Sequence, residues 1–198
     1  MKAKKLCLII LVFVYLLTLS ACNNNSHIAD TEEESISAQS DSYYTISTNE
    51  DLTYSYKITA KNGDVLFSDD NSPREPHIDQ VSANILSVTI QTGTGLSTNW
   101  AVFCDIENAK TSETFQYVLG AKDSYVFYVE FEDGNHRLVV QDIFDSNIYR
   151  KTYTLQNCSS IADPICELTF DGEGKATITY LTGTETAISQ TSATIYFP

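Results

Sequence analysis

The chain has 198 residues with 26 acidic and 12 basic side chains, a formal net charge of −14. A field of that sign repels a phosphate backbone, which argues against nucleic acid as a partner, and it repels anionic lipid headgroups as well. The length accommodates one domain of ordinary size, with no room for two full ones.

The chain begins with Lys2, Lys4 and Lys5 ahead of an uncharged apolar run from Leu6 to Leu17. That run is shorter than the roughly 20 apolar residues needed to span a bilayer, and it ends in small residues, so it reads as a secretory signal peptide over 1–21. Residues 22–51 are mostly Asn, Ser, Thr, Asp, Glu and Gln, with isolated apolar positions such as Ile28 and Ile36. Such a segment cannot bury a core and is expected to act as a disordered tether. Without the first 21 residues the chain keeps 9 basic and 26 acidic side chains, so the exported part is more acidic than the whole.

From Leu52 the period of two takes over, and 52–198 is expected to be an all-β domain. Tyr54, Tyr56 and Ile58 alternate with polar neighbours, and Asn62-Gly63 turns the chain into Val65-Leu66-Phe67. Asp69 to Pro76 reads as a polar loop, Ile85 to Gln91 as a strand, and Trp100–Ile106 with Thr114–Leu119 as a hairpin. Tyr125 to Phe131 is apolar on both faces, which predicts a central strand. Leu138–Phe144, Tyr149–Leu155, Cys166–Phe170, Ala176–Leu181 and Ala193–Phe197 complete the series. The spacing suits an antiparallel meander forming a sandwich or barrel. A weak repeat, Val102-Phe103-Cys104-Asp105-Ile106 against Val139-Val140-Gln141-Asp142-Ile143, keeps a small propeller-like array of blades as the alternative.

Little in the domain points to chemistry. A Gly-x-Ser-x-Gly elbow and a phosphate loop are both missing from the sequence, and the cysteines and histidines are not spaced as zinc ligands. No cofactor is expected. Asp69-Asp70-Asn71-Ser72 and Asp133-Gly134-Asn135 offer oxygen ligands but do not follow the EF-hand pattern. Of the cysteines beyond the signal, Cys158 and Cys166 close a short loop and can pair as a disulfide in an oxidising compartment, leaving Cys104 as a buried thiol. His77 and His136 are the only histidines in the domain that could serve a nucleophile. Trp100, the sole tryptophan, follows a Gly-Thr-Gly-Leu-Ser-Thr-Asn loop and is the candidate binding aromatic.

Leu19-Ser20-Ala21-Cys22 resembles the lipobox of bacterial lipoproteins. The resemblance implies that Cys22 receives a diacylglyceryl thioether, becomes the first residue, and holds the chain to the outer face of the cell membrane through the lipid bilayer. With the tether and an aromatic-rich β-domain, including Gln91 to Asp105 and Asp142-Ile143-Phe144, the chain looks like the small surface lipoproteins of low-GC Gram-positive bacteria. That group has no assigned activity, so no residue roles carry over from it. The expected function is a non-catalytic binding or interaction module that meets an envelope protein or a glycan. The alternatives are an extracytoplasmic hydrolase of unrecognised type, using acids beside His77 or His136, and a closed-barrel carrier of a hydrophobic ligand.

Overall fold

A computed structural model describes residues 42–198 apart from 133, 160–162, 173 and 185, so the signal, Cys22 and most of the tether lie outside the described residues. The domain is all-β. Its strands form four antiparallel sheets that follow one another along the chain. Sheet A holds β1 (Tyr44–Thr48), β2 (Tyr54–Thr59) and β3 (Val65–Ser72). Sheet B holds β4 (His77–Ser82), β5 (Ile85–Gln91), β6 (Asn99–Asp105) and β7 (Lys110–Thr111), with β8 (Phe115–Gln116) also pairing β6. Sheet C holds β9 (Val118–Lys122), β10 (Tyr125–Glu132), β11 (Asn135–Asp142) and β12 (Arg150–Thr154), and sheet D holds β13 (Ile165–Asp171), β14 (Lys175–Thr184) and β15 (Ala187–Tyr196).

Three apolar layers hold these sheets in series. Tyr56 and Ile58 of sheet A meet Leu86, Val88, Val102 and Cys104 of sheet B. Ala101 and Phe103, on the other face of β6, meet Val126, Tyr128 and Val139 of sheet C. Phe127, Val129, Leu138 and Val140, on the opposite face of sheet C, meet Ile165, Ile178 and Ile195 of sheet D. Because successive side chains of a strand point to opposite faces, an inner sheet must be apolar on both and an outer sheet on one. Accordingly β10 is buried at four consecutive residues, Val126 to Val129, whereas β2 alternates over Tyr56–Ile58 and β15 over Gln190–Tyr196. The three layers join A to B, B to C and C to D, and none among the described residues joins A to D. The described residues therefore form four meander sheets whose apolar layers follow one another, with no closed barrel among them.

The weak repeat is real at the level of hydrogen bonds. Asp105 Oδ1 accepts the N–H groups of Glu107 and Asn108 at 3.0 Å each, and Asp142 Oδ1 accepts those of Phe144 and Asp145 at 2.9 Å each. The next residue donates back across its sheet in both cases, Ile106 to Asn84 O and Ile143 to Ser124 O, each at 2.9 Å. One device thus closes sheets B and C: an aspartate that turns the chain, then an isoleucine that plugs the layer.

Three expectations are corrected. Order begins ahead of Leu52, because β1 pairs with β2 through its backbone although only Ile46 of its side chains is half-buried. Asp69 to Ser72 is the end of β3, not a loop, and His77–Ser82 is an edge strand. The hairpin partner read as Thr114–Leu119 is divided: β8 stays on β6, while β9 crosses to β10. Tyr117, between them, takes a left-handed φ of 57°.

Candidate functional site

Trp100 opens β6, paired with Ile90 on one side and Gln116 on the other. Its ring is half-buried against the A/B layer. The rest of the ring faces a cleft of about 490 Å³ lined by Phe67, Thr92, Thr98, Asn99, Trp100, Thr114, Gln116 and Tyr117. Three aromatic rings, from β3, from β6 and from the residue between β8 and β9, therefore meet there, and no lining residue is charged. Some of the polar groups are engaged: the Thr92 hydroxyl donates to Thr98 O, Thr98 Oγ1 to Gly95 O at 2.6 Å, and Asn99 Nδ2 to Leu96 O at 3.3 Å. Among the described residues the Trp100 indole N–H and the side chains of Thr114 and Gln116 have no protein partner. The cleft thus offers apolar faces beside free neutral donors and acceptors, within the size range of small-molecule sites.

The loop leading into Trp100 is fixed from outside its sheet. Asp163 accepts from Ser97 Oγ at 2.9 Å, from the Ser97 N–H at 3.3 Å and from the Ile165 N–H at 3.3 Å, tying the Leu96–Thr98 turn to the start of β13. The carboxylate lies so close to Gly95 that a Cβ built there would sit 1.6 Å from Asp163 Oδ2. Gly95 is needed here for room rather than for its backbone angle.

Tyr117 also lines a second cleft, of about 730 Å³, with Glu113, Tyr128, Glu130, Phe131, Arg137 and Arg150 among its walls. Tyr117 and Phe131 are exposed and meet edge to face at 6.2 Å. The acids here are all partnered. Arg150 Nη2 binds Glu130 Oε1 at 2.7 Å, Arg137 pairs with Glu132, and Gln141 Nε2 donates to Glu113 Oε1 at 3.2 Å. The Tyr128 hydroxyl links the network by donating to Gln141 Oε1 at 3.0 Å.

The other candidates lie apart from both clefts. Cys158 and Cys166 are free thiols, so the expected disulfide is not formed. Cys158 bridges to Thr182 and packs inward on the C/D layer, whereas Cys166 follows the buried Ile165 and points to solvent. Alternation along β13 turns Ile165 inward and Cys166 outward, while Cys158 sits outside any strand on its bridge to β14. Burial pushes the Cys104 and Cys158 thiols each up to about 11, which leaves little reactive thiolate. His77 is exposed and sits 3.0 Å from Asp79, while His136 is buried with its ring 4.0 Å from that of Phe131. Neither lines the glutamate cleft. Asp69 Oδ1 is taken by the Asn71 N–H at 2.9 Å, Asp133 falls outside the described residues, and no group of three or more potential metal ligands occurs among the described residues.

Of the three rings lining the Trp100 cleft the sequence singled out Trp100 alone, since Phe67 and Tyr117 reach it only through the packing of sheet A on sheet B and the break after β8. No family model matches the chain, and no curated protein or solved structure is significantly similar to it.

Proposed function

We propose that this is an exported, lipid-anchored protein whose β-domain is a non-catalytic binding module for a neutral glycan. The anchor is the diacylglyceryl group on Cys22, and the polar stretch after it carries the domain away from the outer face of the membrane. The observation that supports the ligand class is the uncharged Phe67–Trp100–Tyr117 cleft in a chain of net charge −14. A pyranose ring presents C–H faces that lie on aromatic rings and hydroxyls that pair with groups such as the Trp100 N–H, Thr114 and Gln116. A charged ligand would find no counter-charge there and would face the repulsion or non-specific attraction of the whole domain.

An array of neutral and anionic oligosaccharides, probed with the full chain and with Tyr117→Ala, tests this reading. Binding confined to neutral glycans and weakened about tenfold or more by Tyr117→Ala is expected, since an aromatic anchor contributes on the order of 2 kcal/mol. Binding to none of them, or binding indifferent to Tyr117, would overturn it. The anchor has its own test: Cys22→Ser is expected to lose a metabolic lipid label and leave the membrane fraction. The hydrolase reading keeps one supporting observation, the convergence of Glu113, Glu130 and Glu132 on one cleft. Release of reducing ends from a bound glycan, abolished by Glu113→Gln or Glu130→Gln, would favour it over simple binding.

A further inference from the structure

β15 is ten residues long and forms one edge of sheet D, paired throughout with β14 on its other side and with no other strand among the described residues. The Phe197 N–H donates to Gly174 O at 2.9 Å, and the register runs without a shift. Backbone groups of an antiparallel strand alternate in direction, so the odd-numbered residues face β14. Those of Ile188, Gln190, Ser192 and Thr194 then point away from the sheet, and all four residues are exposed.

An open edge of this length is a template for another strand, and proteins ordinarily blunt such edges with charge, proline or brevity. The other edges here follow that rule: β12 carries Arg150 and Lys151, β13 Glu167 and Asp171, β4 His77 and Asp79, β3 Asp69 and Asp70, β9 Lys122, β7 has two residues and β1 five. β15 carries no charged side chain, and neither does any residue from 186 to 198.

We propose that β15 pairs antiparallel with β15 of a second copy of this chain, joining two D sheets across a two-fold axis at Ser192. Two arguments select a second copy. The first is electrostatic: acidic copies repel over most of their surface, and the uncharged edge is where they approach without that penalty. The second is symmetry. The large exposed apolar residues of β15 are Ile188 and Tyr196, each four residues from Ser192. An isologous contact centred there sets Ile188 against Tyr196 of the partner subunit twice, and Gln190 against Thr194 of the partner subunit twice. Tyr196 O already accepts the Tyr153 hydroxyl at 2.7 Å, and a carbonyl's second lone pair remains for a neighbouring strand.

The test is sedimentation of the full chain in detergent micelles, wild type beside two edge variants. Gln190→Lys/Thr194→Lys sets lysine against lysine at both pairs flanking the axis, and is expected to weaken the dimer about tenfold or more. Gln190→Lys/Thr194→Glu makes the same number of changes but sets opposite charges across the axis, and is expected to dimerise like wild type. Thermal melts that match wild type show that neither pair of substitutions damages the strand. A wild-type monomer, whether its edge is bare or covered by another segment of the chain, overturns the proposal. So does a dimer that the lysine pair leaves intact, because the contact then lies elsewhere.

Discussion

His136 shows what a single buried group does to the molecule's pH response. It is 5% exposed, its Nε2 has no partner among the described residues, and its ring lies against Phe131. Burial holds its pKa below the ordinary histidine value, with Asp163 pulling weakly the other way. The unfolded chain therefore takes up a proton near pH 6.5 while the folded one does not, and stability falls as pH drops from about 6.5 through the lowered value. Wild type should lose melting temperature between pH 7.5 and 5.5, and His136→Gln should lose clearly less. Equal losses in thermal melts would remove His136 from the account. The Gly95–Asp163 contact gives a second prediction at this scale. Gly95→Ala should destabilise by about 2 kcal/mol or more through the clash, and Asp163→Ala by about 1–3 kcal/mol through lost hydrogen bonds. The double variant should cost less than their sum, since the clash needs both groups, and denaturant unfolding of the four proteins measures that coupling.

Among the elements, the aspartate turns that close sheets B and C differ in burial. Asp142 is buried and Asp105 half-exposed. Removing either carboxylate strips two N–H groups of their acceptor, and an unsatisfied donor costs more where water cannot reach it. Asp142→Ala should therefore destabilise by about 1–3 kcal/mol and Asp105→Ala by less, a difference that urea unfolding reads directly. These turns also show how far elements could be read ahead of the structure. The repeated Val-x-x-Asp-Ile pattern and the two-faced apolar run at Tyr125–Phe131 were visible because inner strands state their environment in composition. β1 and β4 escaped because edge strands are held by backbone pairing and need no apolar pattern. The crossing of β9 to another sheet was invisible for a related reason: alternation says which face a residue takes, not which strand lies beside it.

For the whole molecule, sheets whose apolar layers join each to the next resemble a one-dimensional stack, braced between sheets B and D by the Asp163–Ser97 bonds, in which outer members open more readily than inner ones. Amide exchange should be fastest in sheet A, whose β1 is exposed at four of its five residues, and slowest in β10 and β11. Exchange as slow in sheet A as in sheet C would mean that the domain opens only as a unit. The stack also explains why the cleft was half legible. Trp100 stood out as the sole tryptophan after a glycine-rich loop, but Phe67 lies 33 positions earlier and Tyr117 17 later, and the rings come together only through the docking of sheet A on sheet B and the break in the chain after β8. The proposed glycan face rests on that convergence. Its most direct measurement is acrylamide quenching of the one tryptophan, with and without a saturating neutral oligosaccharide; a neutral quencher avoids the field of this acidic chain. Partial quenching that the sugar suppresses in wild type, but fails to suppress in Tyr117→Ala, is the predicted result. Quenching that no neutral sugar alters would contradict the assignment of the Trp100 cleft as the binding site.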